Sequence, residues 1–108
     1  MSQDKKTACA KTPDACQSMD DVRMEIDRID SEVVDRLAER WAYVDRMWQL
    51  KHAQDETQSS VPWRNREVID RVRERAENAG MPPEMAEALW RSIIGWGIQY
   101  QDEKLRDR

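Results

Sequence analysis

Residues 22–51 read VRMEIDRIDSEVVDRLAERWAYVDRMWQLK, and the spacing of the apolar letters in this run decides the fold. Val22, Ile26, Ile29, Val33, Leu37, Val44 and Met47 recur every three or four positions, the stripe of one long amphipathic helix. Two cations interrupt the stripe. At roughly 100 degrees per residue, eleven steps bring Lys51 to within about 20 degrees of Arg40, on the same side as Val44 and Met47. The spacing therefore aims both inward, where a lone cation is too costly to persist without an anionic partner. Either internal carboxylates or an anion from outside must answer them.

Working outward, Ser18 is placed to cap this helix, with Asp20 and Asp21 against the positive end of its dipole, and the pattern continues to about Gln54. Some 35 residues at 1.5 Å each span about 50 Å, more than the rest of a 108-residue chain can cover. A second apolar flank, Val34, Trp41 and Trp48, carries Arg23 along it. Two faces imply two neighbours, so the pattern predicts an intertwined two-fold homodimer. The polar run Asp55 to Val61 predicts a loop closed by Pro62. A second helix is expected from about Arg64 to Ala79, buried through Val68, Ile69, Val72 and Ala76 and stopped by Gly80. Pro82-Pro83 opens a third, with Ala86, Leu89, Trp90, Ile93, Ile94, Gly97 and Gln101 inward, ending near Asp107.

Composition agrees with an all-α reading. Phe is absent, Gly numbers 3 and charged residues make up 37%, while 5 Trp and 6 Met supply bulk. The formal net charge of −4 offers no field for a nucleic-acid backbone. Neither a long apolar run nor a hydrophobic export segment is visible, so no membrane partner and a cytoplasmic location are expected. Residues 1–17 are polar and aperiodic and read as a flexible N-terminal arm before a helical domain over 18–108. Cys9, Cys16 and the single His52 are too few for a metal site, so no metal or cofactor is expected and both thiols read as free and exposed.

Gln101 lies one turn beyond Gly97 on the apolar face of the third helix, directed inward with Arg40 and Lys51. With Arg66 near the start of the second helix, that makes three cations and an amide against one nearby carboxylate, Glu67. Surplus positive charge inside an acidic protein suits a small ligand carrying more than one carboxylate, for which arginine offers a planar fork. Long cationic stems also lie along apolar surface with their heads in water or paired across a subunit seam. Spacing alone supports an anion-binding helical dimer and does not define a reaction.

Arg23, the run IDRIDSEVVDRLAERW with Arg40, Lys51, the segment VPWRNRE at Val61–Glu67 and IIGWGIQYQ ending in Gln101 together resemble the all-helical chorismate mutases, over about residues 12–106. The lead-in KTPDAC and the Trp in IIGWGI are most similar to the branch that holds isochorismate pyruvate-lyases and related mutases. The resemblance implies a three-helix protomer entwined as a homodimer, each site completed by Arg23 of the mate. It implies that Arg23 and Arg40 bind the two carboxylates of chorismate, that Lys51 and Gln101 hold the ether oxygen, that Arg66 supports the carboxylate end, and that Glu67 approaches the ring hydroxyl. Trp63 stands where many members carry Asp, and Gly97 where they carry a small polar residue. The implied catalytic set is Lys51, Gln101 and Arg40. The implied reaction is the rearrangement of chorismate to prephenate. Its alternatives are release of pyruvate from isochorismate to give salicylate, a mutase acting on an amino analogue of chorismate, and a non-catalytic dimer that binds a small dicarboxylate.

Overall fold

The computed structural model describes residues 11–54 and 61–106. These form a 3-10 turn at Pro13–Ala15 and three helices, α1 (Met19–Ala53), α2 (Pro62–Asn78) and α3 (Pro83–Arg106). Among the described residues there is no strand, and no helix is long and apolar enough to cross a membrane.

Each helix starts and stops where its local chemistry requires. The Ser18 hydroxyl accepts the Asp21 N–H at 3.0 Å, and the Asp21 carboxylate accepts the Gln17 N–H at 3.0 Å, so the first turn of α1 is capped reciprocally. That backbone N–H, followed by the Lys11 ammonium 3.2 Å away, holds the Asp21 carboxyl below its ordinary range. Pro62 and Pro83 occupy the first positions of α2 and α3, where a missing N–H costs nothing. α2 ends in a Schellman turn. Gly80 sits at φ 82°, Met81 N–H reaches the Ala76 carbonyl at 2.9 Å and Gly80 N–H reaches that of Glu77 at 3.2 Å. The expected loop falls on Asp55–Ser60, outside the described residues, as do the first ten residues of the expected arm. Cys16 is a free thiol, half-buried rather than exposed, and Cys9 lies outside the described residues.

The chain divides into two compact units, one reaching Arg40 and the other beginning at Trp41. In the first, the lead-in carrying Pro13 and Cys16 and the helix residues Val22, Ile26 and Ile29 line a cleft of about 390 Å³. The apolar stripe of this unit stays open. Val22, Ile26, Ile29, Val33 and Leu37 are all exposed, Val33 by 48%.

In the second unit, α2 and α3 run antiparallel. Arg73 bonds Glu87 close to their connection at 2.7 Å, and Arg66 faces Ile94 and Ile98 farther out. The last turns of α1 run parallel to α3: Val44 Cγ1 lies 3.6 Å from where a Cβ on Gly97 would stand, Asp45 meets Tyr100, and Lys51 meets Gln101. The buried apolar set is Val44, Ile69, Ala76, Ala86 and Leu105. Four expected inward residues of α3 are not fully buried: Leu89 is exposed, and Trp90, Ile93 and Ile94 are half-buried. Among the tryptophans, Trp96 is 69% exposed. Their helical period is as expected. A single chain is too short to cover every apolar face that the period creates.

Candidate active site

Gln101 is the one buried polar residue among the described residues, 4% exposed on the inner face of α3. Its Oε1 accepts a hydrogen bond from Lys51 Nζ at 2.9 Å, and its Nε2 donates to Met47 Sδ at 3.6 Å. Because an ammonium can only donate, Lys51 fixes which end of the amide faces it and leaves Nε2 pointing toward the α1 side. A thioether sulfur is a weak acceptor, so this last bond is easily exchanged for one to an ether or carboxylate oxygen. The spacing directs Gln101 inward with Arg40 and Lys51, and of these two cations Lys51 bonds it. Nothing in the spacing singles out Met47 as the partner of the amide, although it sits one turn before Lys51.

Arg66 lies on the exposed first turn of α2 and lines a cleft of about 370 Å³ with Pro62, Asn65, Ile69, Ile94 and Ile98. The cleft has apolar walls and a cationic rim, to which α3 adds Arg91. Glu67 takes another direction. Its carboxylate pairs with Arg64 at 2.7 Å and with Arg71 at 4.0 Å on the outer face of α2, half-exposed, and does not line the cleft. Arg23 and Arg40 belong to the first unit, Arg23 exposed and Arg40 half-buried. Within one chain the structure thus joins Lys51 to Gln101 and sets Arg66 on the same α2–α3 unit.

Beside the Lys51–Gln101 pair is a cluster that the sequence reading does not contain. Tyr100 O–H donates to Asp45 Oδ1 at 2.5 Å, Trp48 Nε1–H donates to the same oxygen at 2.9 Å, and Gln49 Nε2 donates to Oδ2 at 3.2 Å. The Tyr100 bond, then that of Trp48, holds the Asp45 carboxyl below its ordinary range. The carboxylate in turn pushes the Tyr100 phenol up. Trp41 packs on Tyr100 at 4.8 Å between ring centroids, and Lys104 Nζ lies 5.5 Å from the Tyr100 centroid and 5.8 Å from that of Trp48. The spacing of Asp45 and Trp48, one helical turn apart, is the sequence signal for part of this cluster.

The absence of any strand among the described residues, one very long helix, a half-buried Lys51 bonded to the buried Gln101 and an arginine-rimmed apolar cleft between α2 and α3 define a class of all-helical protein. The profile of the chorismate mutase type II family matches residues 22–102, and the chain belongs to that family. It is also similar to the isochorismate pyruvate lyase of Pseudomonas aeruginosa, 33% identical over 91 residues that make up 84% of this chain and 88% of the relative. Arg23, Arg40, Lys51, Arg66, Glu67 and Gln101 all fall inside the family match.

Proposed function

We propose that the protein is a cofactor-free pericyclic enzyme acting on an enolpyruvyl ether that carries two carboxylates, with rearrangement of chorismate to prephenate as its reaction. The observation that carries this reading is the 2.9 Å bond from Lys51 Nζ to Gln101 Oε1, which holds a half-buried cation against a buried amide whose N–H groups remain as donors. In the rearrangement a C–O bond breaks as a C–C bond forms and no proton moves, so the protein need only restrain the enolpyruvyl arm over the ring and stabilise negative charge growing on the ether oxygen. Fixed donors do this without reorganising at the moment of reaction. Lys51 Nζ and Gln101 Nε2 are the donors, and Arg40 with Arg23 of a second copy binds the carboxylates. Arg66 supports them from α2, and Glu67 approaches the ring hydroxyl once substrate draws it from Arg64.

Donation of Arg23 requires a homodimer. The open stripe from Val22 to Leu37 supports one, because exposed apolar residues at regular helical spacing are an interface waiting for a second helix.

A second reading, elimination of pyruvate from isochorismate to leave salicylate, breaks the same C–O bond and can use the same donors. Two observations favour it: the similarity to a pyruvate lyase, and the ion pair that turns Glu67 toward Arg64 and away from the cleft. Incubating the protein with each substrate in turn, and following prephenate or salicylate by absorbance, separates the readings. Prephenate from chorismate supports the first and salicylate from isochorismate the second. Binding of both with turnover of neither, read as a thermal shift without product, identifies a dicarboxylate-binding dimer instead.

A further inference from the structure

We propose that Asp45 and Tyr100 are positioning residues: their hydrogen bond locks α3 against the last turns of α1 in the one register that brings the Gln101 amide to Lys51. This deepens the pericyclic reading and rests on it for its catalytic consequence. Tyr100 precedes Gln101, about 100 degrees around α3, so one side chain can grip α1 on one flank while its neighbour points to the site. The grip is specific. A single carboxylate accepts from Tyr100, Trp48 and Gln49, which leaves Asp45 little freedom to follow Tyr100 elsewhere. An O–H donating to a carboxylate is a charge-assisted hydrogen bond, stronger than one between neutral groups. Trp41 packs against the Tyr100 ring and Lys104 Nζ lies 5.5 Å from its centroid, so the ring is further restrained.

The site benefits from such a device because the bonds to the Gln101 amide do not by themselves fix the register of α3. Gln101 is held by one bond from Lys51 and a weak one to Met47, and nearby Val44 faces Gly97, which has no side chain to resist sliding. A helix free to rotate or slide by about 1 Å loses the donor geometry, and misplacement on that scale costs up to about 10²-fold in rate. Neither Asp45 nor Tyr100 needs to touch substrate for this.

The test compares Tyr100→Phe, which keeps the ring and removes the O–H, with Asp45→Asn, which keeps an acceptor. Two readouts are used. The first is the hydrogen exchange of the Gln101 side-chain amide, followed by NMR in full-length protein without substrate. The second is kcat and KM on whichever substrate the wild type consumes. Tyr100→Phe is expected to raise the exchange rate of that amide about tenfold, and to lower kcat about tenfold with KM changed less than about twofold. Asp45→Asn, retaining a weaker bond to the phenol, should fall between it and wild type. In a Gln101→Ala background Tyr100→Phe should cost nothing further in kcat, because the group it positions is gone. Unchanged Gln101 exchange in both variants overturns the proposal, and so does an equal kcat loss with and without Gln101. If the wild type turns over neither substrate, the functional reading fails, while faster exchange still establishes the clasp.

Discussion

The two parts of α1 share one amphipathic pattern and meet opposite fates. From Trp41 to Ala53 its inner residues find α3: Val44 is 7% exposed, Met47 touches the Gln101 amide and Lys51 bonds it. From Met19 to Arg40 the equivalent positions, Val22 through Leu37, remain open. The lesson is that helical periodicity marks a face to be covered and says nothing about what covers it. In the C-terminal part the cover is supplied by the same chain, and for the N-terminal part we propose a second copy. In the proposed mechanism the division has a functional counterpart, since Lys51 and Gln101, the proposed donors, lie where the chain covers itself, whereas Arg23 lies on the part left open.

The largest effect should come from separating those contributions. Arg23→Ala and Gln101→Ala should each lose about 10²-fold or more in kcat/KM. Unfolding and refolding an equal mixture should restore about a quarter of wild-type activity, because half the dimers then contain both variants and each has one intact site. No recovery on mixing contradicts donation of Arg23 across an interface. Next, Val33→Asp should dissociate the dimer, seen as a halved mass in sedimentation, although Val33 is half-exposed in the single chain. Val44→Ala should instead leave the mass unchanged and cost about 2 kcal/mol in denaturant unfolding, the signature of a site covered from within. If both variants behave alike, the contrast between the two parts of α1 is wrong.

A smaller effect is expected at the connection that turns α2 back onto α3. Gly80→Ala places a Cβ at φ 82° and should cost about 1 kcal/mol with kcat unaffected. Smaller still is the acid-side dependence of stability. Asp45 and Glu87 have carboxyls held below their ordinary range, by Tyr100 first in one case and by Arg91 first in the other. A carboxyl lowered in the folded state adds stability that is present above its unfolded value of about 4 and is lost as pH falls through the folded one. The melting temperature should therefore be level from about pH 5 to 8 and drop below about pH 4, with a shallower drop in Asp45→Asn. An identical acid slope in that variant would remove Asp45 from the account.

Much of this architecture is legible in the sequence because it depends on local signals. Ser18, Pro62, Gly80 and Pro83 mark the helix ends to within a residue or two, and the period of 3.6 carries Lys51 and Gln101 to inward faces before any contact is known. What escapes is the part set by pairing across long sequence separations. Leu89 sits on regular apolar spacing yet stays exposed, since spacing does not count the surfaces available to cover it. The bond from Tyr100 to Asp45 spans 55 residues and joins a tyrosine and an acid of ordinary appearance. Glu67 is similar, for its identity suggests a site role while its position three residues after Arg64 gives it a local partner.

The central claim is that Lys51, held by Gln101, stabilises charge on the breaking ether bond. It is tested most directly by kcat for Lys51→Ala on the substrate the wild type consumes, measured from pH 6 to 8 with the helical content of both proteins checked by circular dichroism. The account predicts a loss of about 10²-fold or more, with a nearly flat pH profile in the wild type because the amide cannot ionise and the chemistry moves no proton. A folded Lys51→Ala protein that keeps the wild-type rate would contradict it.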